Sequence, residues 1–556
     1  MRTTLSILVG AIVLAGPADG QRPSGPADPA VGRIQPNWIE PHVRFLSSAL
    51  LRGRDTGTPG AELAARYVAA EFGRLGLKAF GGDGGYLLPV PLRQSTVVEA
   101  ATSASLTTRQ GTVALVLGRD YLVHPAKNAD RAEESAPIVF VGFGVTAPEA
   151  GYDDYQGVDV RGKIVAMVFG GPPAVPPDER GHYAGLAAKE QNARARGAVG
   201  VITLMPVPGA LLDEKLGQLE GFGWVGPDQV AHSPFFESGA VLRFTESGTK
   251  ALLAAAGRTV EDVLQALGKG PVSFPVEATL SWRSAFRHQA VTGYNVAGVL
   301  EGSDPSLGRE YVVFSAHLDH VGVHPPVDGD SVNYGAIDNA GGTASMMAVA
   351  RAMVAMPRPK RSVLFLAVTG EEKGILGSDY FVHAPAVPIG SMVANVNLDN
   401  FVMLAPTKDL FGYGAKYSTL DAEVTGMLDR LDLAPSEDPL PWMTIFTRSD
   451  HYAFMRRGIP GVMLFGGPKS GKDGKDGVAV MREYFDRVHH TPRDRLEQAI
   501  DWGAGVRYAE ANLSIGYSIA NRAERPRWKG RFFFHQTGVP ISGRLERLDG
   551  GRLAAR

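Results

Sequence analysis

The sequence predicts an α/β protein with a mixed, mainly parallel central sheet, helices on both faces of that sheet, and an inserted β-rich domain. From about residue 290, apolar runs typical of buried strands alternate with helical segments, as in a parallel sheet. Between residues 126 and 275, by contrast, short apolar strands follow one another with one helical segment among them. A chain of 556 residues is long enough for two or more domains, so we expect an insertion into a larger α/β domain.

Residues 1–20 are expected to be an export signal. Arg2 supplies a positive charge, residues 5–14 form a short apolar stretch, and small residues precede Gln21. The apolar stretch is shorter than the ~20 residues that span a membrane. We therefore expect cleavage, no membrane attachment afterwards, and a periplasmic or extracellular location; an uncleaved anchor is the alternative.

Residues 21–125 are expected to form the N-terminal part of the larger domain. A helical pattern covers 38–51, and short strands are expected within 96–122. A second helix is expected to bury one face, made of Leu63, Tyr67, Val68, Phe72 and Leu75.

Residues 126–275 form the predicted insertion. Strands are expected at 138–145, 163–169 and 200–204, and a helix is expected at 187–196. The short motifs of this segment resemble those of a protease-associated domain, a small β-rich module. A generic α/β insertion is the alternative.

Residues 276–525 are expected to complete the larger domain. A helix is predicted just after Asp338, from 341 to 356, and another at 420–431. The basic, aromatic tail at 526–556 allows two interpretations, a strand pair docked on the sheet or a loosely held tail.

The composition restricts the kinds of site that the chain can form. With no cysteine, the chain has no disulfides, thiolate metal sites or cysteine nucleophiles, so a metal must be bound by His, Asp and Glu. A formal net charge of −2 gives no electrostatic reason to expect nucleic acid or an anionic membrane as a partner.

Residues that can bind metal follow several of the predicted strands. Apolar runs lead into His317, Glu371 and Asp399. If these runs are parallel strands, their carboxyl ends meet at one edge of the sheet, where open α/β folds place their active sites. The ordered set of candidate residues is His317, Asp338, Glu371, Glu372, Asp399 and His490.

This set suits a centre of two metal ions. Two neighbouring cations need one shared carboxylate, terminal His, Asp or Glu ligands, and a base that takes a proton from metal-activated water. Asp338, in a glycine-rich turn, suits the shared position. Glu371 and Glu372 can divide the roles of base and ligand, because successive side chains point in different directions. Asp319 suits a partner that fixes the tautomer of His317.

The sequence around these residues resembles one family. Its motifs are Ser-Ala-His317-Leu-Asp319-His-Val-Gly, Asp338-Asn-Ala-Gly-Gly, Thr-Gly-Glu371-Glu372-Lys-Gly, Asn-Leu-Asp399, Arg-Ser-Asp450-His-Tyr and His490-Thr-Pro-Arg-Asp494. They are similar to those of the co-catalytic, di-zinc metallo-exopeptidases, which include secreted bacterial aminopeptidases, aminopeptidase Y and glutamate carboxypeptidase. The segment Leu51-Arg-Gly-Arg-Asp-Thr-Gly also resembles the N-terminal segment of that family.

The resemblance implies a zinc exopeptidase fold with two Zn²⁺ per chain. It implies that Glu371 is the general base for a metal-bridged hydroxide. The implied ligands are His317 and Asp399 for one zinc, Glu372 and His490 for the other, and Asp338 between the two.

One position departs from the family's motif. Relatives often have Tyr before the last His ligand, where its hydroxyl can bind the oxyanion, whereas this chain has His489. The oxyanion donor is therefore open among His489, Tyr484 and Arg448. His489 is also an alternative ligand, although His490 aligns with the His-Thr-Pro pattern.

The sequence favours an exported zinc aminopeptidase that acts on peptides. A carboxypeptidase of the same family is the close alternative, followed by a glutaminyl-cyclase-like acyltransferase and a metal-free binding protein. The motifs Gly-x-Ser-x-Gly and His-Glu-x-x-His do not occur, so serine hydrolases and single-zinc helix proteases lose their usual signatures. His320 and His324 are interpreted as loop residues rather than as further ligands.

Overall fold

Two sheets organise the chain, and one long strand belongs to both. The computed structural model describes residues 32–81, 84–206, 219–234, 240–399, 401–530 and 532–534. The predicted export signal at residues 1–20 lies outside this part of the chain. Within the described ranges, no helix is long and apolar enough to cross a membrane.

The main sheet is mixed, with four adjacent parallel strands at its centre. Across the sheet the strands are Ala231–His232, Glu220–Val225, Leu87–Val97, Ser273–Leu300, Ser362–Val368, Tyr311–His317, Met392–Asn397, Gly461–Gly466, Asp409–Tyr413 and Ala434–Pro435, with Lys78–Ala79 also beside Ser273–Leu300. The four parallel strands are almost entirely buried, because both faces of the sheet are covered. They are Ser362–Val368, Tyr311–His317, Met392–Asn397 and Gly461–Gly466. The predicted fold class is confirmed.

Helices cover both faces of the main sheet. On one face, Trp502–Asn521 packs closely because Gly516 has no side chain; a Cβ there would lie 2.1 Å from the ring of Phe314. On the other face, Leu376–His383 contacts His451–Arg456. The α-helices of the described chain are Glu40–Leu46, Pro59–Arg74, Pro177–Tyr183, Leu186–Ala195, Glu246–Ala255, Val260–Leu267, Gly342–Val354, Leu376–His383, Leu420–Arg430, His451–Arg456, Gly477–Arg487 and Trp502–Asn521.

Two N-terminal predictions are wrong in detail. The predicted helix at 38–51 is instead Glu40–Leu46 followed by the 3-10 segment Ala49–Arg54, because the backbone is extended at Ser48 (φ −76°, ψ 149°). Leu63, expected on a buried helix face, is 40% exposed. The buried face is offset towards smaller side chains and consists of Ala61, Ala64, Ala65, Val68 and Phe72.

The second sheet includes strands from both sides of the predicted insertion. Its strands, in order, are Gly111–Leu115, Ser103–Thr108, Ser273–Leu300, Arg131–Val141, Ile164–Val168, Gly200–Leu204, Val241–Phe244 and Tyr121–His124. It therefore uses residues 103–124, which were expected in the N-terminal part of the larger domain. Two small hairpins complete the strands, Thr146–Ala147 with Tyr152–Asp153 and Val323–Val327 with Asp330–Val332. The insertion's bounds, 126–275, and its protease-associated identity stay predictions.

The described part of the C-terminal tail is packed on the main domain. Trp528 is fully buried, and its indole Nε1 donates a hydrogen bond to the carbonyl oxygen of Gly458 at 2.9 Å. Its ring stacks on Phe532. The tail is therefore docked as far as residue 534, and residues 535–556 lie outside the described chain.

Candidate metal centre

His317, Glu371 and Asp399 lie together at the carboxyl ends of neighbouring strands. His317 is the last residue of its strand, while Glu371 and Asp399 follow the two adjacent strands by three and two residues. This is the edge of the sheet at which the sequence places the site.

His317, Asp338 and Asp399 form the first group of possible ligands. The Nε2 atom of His317 lies 3.3 Å from Asp338 Oδ1 and 3.5 Å from Asp399 Oδ1. His317 Nε2 and Asp399 Oδ1 are buried and have no hydrogen-bond partner among the described residues. Buried polar atoms normally have a partner, so these converging atoms fit a bound cation.

His320, Asp338, Glu372 and His490 form the second group. The Nε2 atom of His490 lies 3.2 Å from Asp338 Oδ2 and 3.2 Å from Glu372 Oε2. Asp338 thus presents Oδ1 to the first group and Oδ2 to the second. This arrangement suits a carboxylate shared between two metal ions.

His489 contacts fewer of the possible ligands than His490 does. Its Nε2 lies 3.2 Å from Asp338 Oδ2, and its ring stacks on that of His490 with centroids 3.7 Å apart. Burial, together with the neighbouring His490, lowers the pKa of His489 to about 4, so its ring is neutral at pH 7. Of these two histidines, His490 is the one that also contacts Glu372, so the geometry favours His490 as the ligand.

The candidates for the oxyanion donor differ in accessibility. The hydroxyl of Tyr484 is buried and donates to Asp494 Oδ2 at 3.0 Å, so it already has an acceptor. The His489 side chain is 17% exposed, and Arg448 is exposed. His489 and Arg448 are therefore more accessible than Tyr484.

The carboxylates make this centre favourable for positive charge. Burial disfavours the charged form of His317, but Glu371, Asp338 and Asp399 outweigh burial and raise the pKa of His317 well above its ordinary value. Carboxylates that stabilise a proton on a buried imidazole also stabilise a metal cation, for the same electrostatic reason. The donor set thus fits a metal.

Asp319 orients the loop that carries the two glutamates. Its carboxylate accepts hydrogen bonds from the backbone N–H of Glu371 at 3.2 Å, the backbone N–H of Glu372 at 3.3 Å and the hydroxyl of Thr56 at 2.8 Å. Its backbone carbonyl lies 3.2 Å from His317 Nδ1, whereas its carboxylate is 4.0 Å away. The main chain therefore makes the contact with His317 that the sequence suggested for the side chain.

Asp494 performs the same task for the turn that carries Asp338. Its carboxylate accepts hydrogen bonds from the backbone N–H groups of Ile337 at 2.9 Å and Asp338 at 3.1 Å. On the far side of the turn, a Cβ on Gly342 would lie 2.2 Å from the carbonyl oxygen of Leu398. The glycine therefore lets this turn approach the loop that carries the next ligand, as its composition predicted.

Arg54 is a supporting residue that the sequence reasoning missed. It is fully buried, and its guanidinium donates to the carbonyl oxygens of Leu318 at 2.9 Å, Tyr334 at 2.7 Å and Gly335 at 3.0 Å. Burial lowers the pKa of Arg54 to about 10, which leaves it charged at pH 7. Its place in the family-like N-terminal segment was the only available signal.

His320, interpreted as a loop residue rather than a further ligand, lies within the second group of possible ligands. Its ring is fully buried, with Nδ1 3.0 Å from Glu372 Oε1 and 3.8 Å from Asp338 Oδ2. His324 is partly exposed, and its Nε2 lies 2.8 Å from the carbonyl oxygen of Val321, as suits a loop residue. The signal for His320 was its position directly after Asp319.

Comparison with known proteins supports the resemblance. Residues 295–515 match the sequence model of Peptidase family M28, which confirms the predicted resemblance for this part of the chain. The probable leucine aminopeptidase 2 of Aspergillus oryzae is 29% identical over 220 residues, which are 37% of this chain and 40% of that protein. Aminopeptidase YwaD of Bacillus subtilis is 26% identical over 393 residues, 69% of each protein. The chain thus spans less than half the length of the fungal relative.

A solved structure shares the fold. The aminopeptidase from Aneurinibacillus sp. strain AM-1 is 20% identical and superposes with a TM-score of 0.54. The superposition covers 90% of this chain and 97% of the other. At this identity the likeness shows the fold alone.

Proposed function

We propose that this protein is an exported, zinc-dependent aminopeptidase that removes N-terminal residues from peptides. The observation that carries the proposal is the pair of ligand groups that share Asp338 at the carboxyl edge of the main sheet. The match to Peptidase family M28 and the aminopeptidase names of both relatives support it.

The proposed metals are two Zn²⁺, each bound by imidazole nitrogen and carboxylate oxygen, as zinc is in hydrolases. Bound zinc would acidify a water molecule and polarise the substrate carbonyl. The proposed ligands are His317 and Asp399 for one zinc, Glu372 and His490 for the other, and Asp338 for both.

Glu371 is the proposed general base. Its carboxylate oxygen Oε2 lies 4.0 Å from His317 Nε2, beside the first ligand group, and its side chain is 10% exposed. Glu371 accepts a proton from the attacking water and returns it to the leaving amine. Asp319 fixes the backbone of Glu371, so the base stays in reach of the water.

A pair of blocked peptides tests the direction of cleavage. One peptide is blocked at its amino end, and the other has the same sequence and is blocked at its carboxyl end. We expect the full-length protein to cleave only the second peptide, and we expect a chelator to abolish this activity until zinc is added. Cleavage of only the amino-blocked peptide would show a carboxypeptidase instead.

Export is tested separately from cleavage. Expression of the full chain in a Gram-negative host should place it outside the cytoplasm with a new N-terminus near residue 21. Retention in the cytoplasm with an intact N-terminus would refute export without affecting the proposed chemistry.

A further inference from the structure

We propose that His320 is a positioning residue for the second metal, acting through Glu372. The inference rests on the proposed two-metal centre and adds a residue to it. The two oxygens of Glu372 face different partners: Oε2 lies 3.2 Å from His490 Nε2, and Oε1 lies 3.0 Å from His320 Nδ1. One oxygen therefore faces the ligand group, while the other faces a second imidazole.

The burial of His320 identifies which of its nitrogens has the proton. Its Nε2 atom is buried and has no hydrogen-bond partner in the described part of the chain. If Nδ1 bound the metal directly, Nε2 would have to hold the proton and would bury an unpaired donor. If Nδ1 holds the proton, it donates to Glu372, and only an acceptor is left unpaired. Unpaired buried donors are rarer than under-satisfied acceptors, so the structure assigns Nδ1 as the donor.

The ring of His320 is also fixed in place by its surroundings. A Cβ on Gly335 would lie 2.6 Å from Cγ of the ring, so only glycine fits beside it. The ring meets that of His490 edge-on, with centroids 5.5 Å apart and planes at 72°. His320 thus contacts Glu372 and His490, two proposed ligands of the second metal, and lies 3.8 Å from Asp338, the ligand that the two metals share.

The consequence is a selective effect on the second metal. A hydrogen bond to Oε1 restrains the Glu372 carboxylate, so Oε2 alone points towards the metal. Partners of this kind orient ligands, and their loss typically weakens metal binding about 10–100-fold. The first metal, bound by His317 and Asp399, should be unaffected.

Two substitutions of similar polarity test whether the centre needs a donor at the position of Nδ1 or a group at the position of Nε2. In His320→Asn the side-chain amide lies near the position of Nδ1 and can still donate to Glu372. In His320→Gln the amide lies near the position of Nε2 and leaves Oε1 without its donor. His324→Asn is the matched control, because it changes a histidine of the same loop that belongs to neither group of possible ligands and lies against the carbonyl oxygen of Val321.

The readouts are zinc affinity, from competition with a chromophoric chelator, and the visible spectrum of the protein titrated with Co²⁺. We expect His320→Gln to weaken the second equivalent of zinc about 10–100-fold and to leave the first unchanged. His320→Asn and His324→Asn should bind both equivalents within a few-fold of the parent, with the parent's Co²⁺ spectrum.

Two results would overturn the proposal. Loss of the second equivalent in both His320 variants, with a changed Co²⁺ spectrum in His320→Asn, would make His320 a direct ligand. Parent-like binding by His320→Gln would show that the hydrogen bond does not affect the metal. If the parent protein itself binds no zinc, the two-metal centre fails first, so the two failures are distinguishable.

Discussion

The three hydrogen bonds accepted by buried Asp319 predict a graded response to two substitutions. Thr56→Val removes the hydroxyl donor and nearly preserves the shape of the side chain. Asp319→Asn replaces one carboxylate oxygen by an NH₂ group, which then faces a backbone N–H of Glu371 or Glu372. The first change removes one bond, and the second disturbs all three.

The magnitudes follow from the number and type of these bonds. A hydrogen bond to a charged group contributes about 1.5–3 kcal/mol, so we expect Thr56→Val to cost about 2 kcal/mol. In Asp319→Asn one N–H loses its acceptor and the remaining bonds become neutral, a loss of about 5 kcal/mol before any compensation. Burial raises the pKa of Asp319, which means that its charge is disfavoured there, and a neutral Asn avoids that cost. We therefore expect a net loss of about 3 to 4 kcal/mol.

Amide hydrogen exchange at Glu371 and Glu372 measures the effect directly, because these N–H groups donate to Asp319. Exchange should accelerate modestly in Thr56→Val and strongly in Asp319→Asn, and turnover with saturating zinc should fall in the same order. Thr107→Val, which alters an exposed hydroxyl pair in the second sheet, is the control. Parent-like exchange in Asp319→Asn, or a larger effect in Thr56→Val, would refute this account.

Three further predictions concern the metal centre and the tail. Glu371→Gln should retain two equivalents of zinc by metal analysis while turnover falls about 10²–10⁴-fold; zinc loss would mean that the two glutamates have the opposite roles. Because the pKa of His317 is raised above 6.5, its protonated form stabilises the metal-free protein fully below pH 6.5, and this stability is lost as pH rises through the raised pKa. Urea unfolding of chelator-treated protein should show that decline, and calorimetry at pH 7 should show proton release on zinc binding. Trp528→Ala should cost about 3–5 kcal/mol in urea unfolding if the docked tail is part of the core, and parent-like stability would show that it is not.

The possible ligands were predictable because local patterns encode them. A buried parallel strand reads as an apolar run, and the sheet topology brings the ends of such runs together. His317, Glu371 and Asp399 therefore had to lie near one another once their strands were recognised. Asp338 and His490 do not follow an apolar run of this kind, so short motifs identified them instead.

The supporting residues were not predictable in the same way. Arg54 and Leu318 are separated by 264 residues, and the hydrogen bond between them ends on a backbone carbonyl, which has no sequence signature. Thr56 contacts Asp319 across a similar separation. The strand Ser273–Leu300 crosses from one sheet to the other without a break, so no change in composition marks where the insertion ends.

These supporting contacts share one physical reason. Loops beyond the ends of strands leave backbone N–H and C=O groups without partners in the sheet, and burial makes unpaired groups costly. Here Asp319 and Asp494 accept from such N–H groups, and Arg54 donates to such carbonyls. The loops that carry the ligands are thus completed by charged residues, one of which comes from before the second sheet. Residues 295–515 include every proposed ligand but not Arg54, the donor to the carbonyl oxygens of Leu318 and Gly335. The N-terminal segment that carries Arg54 therefore belongs to the metal centre as much as the strands do.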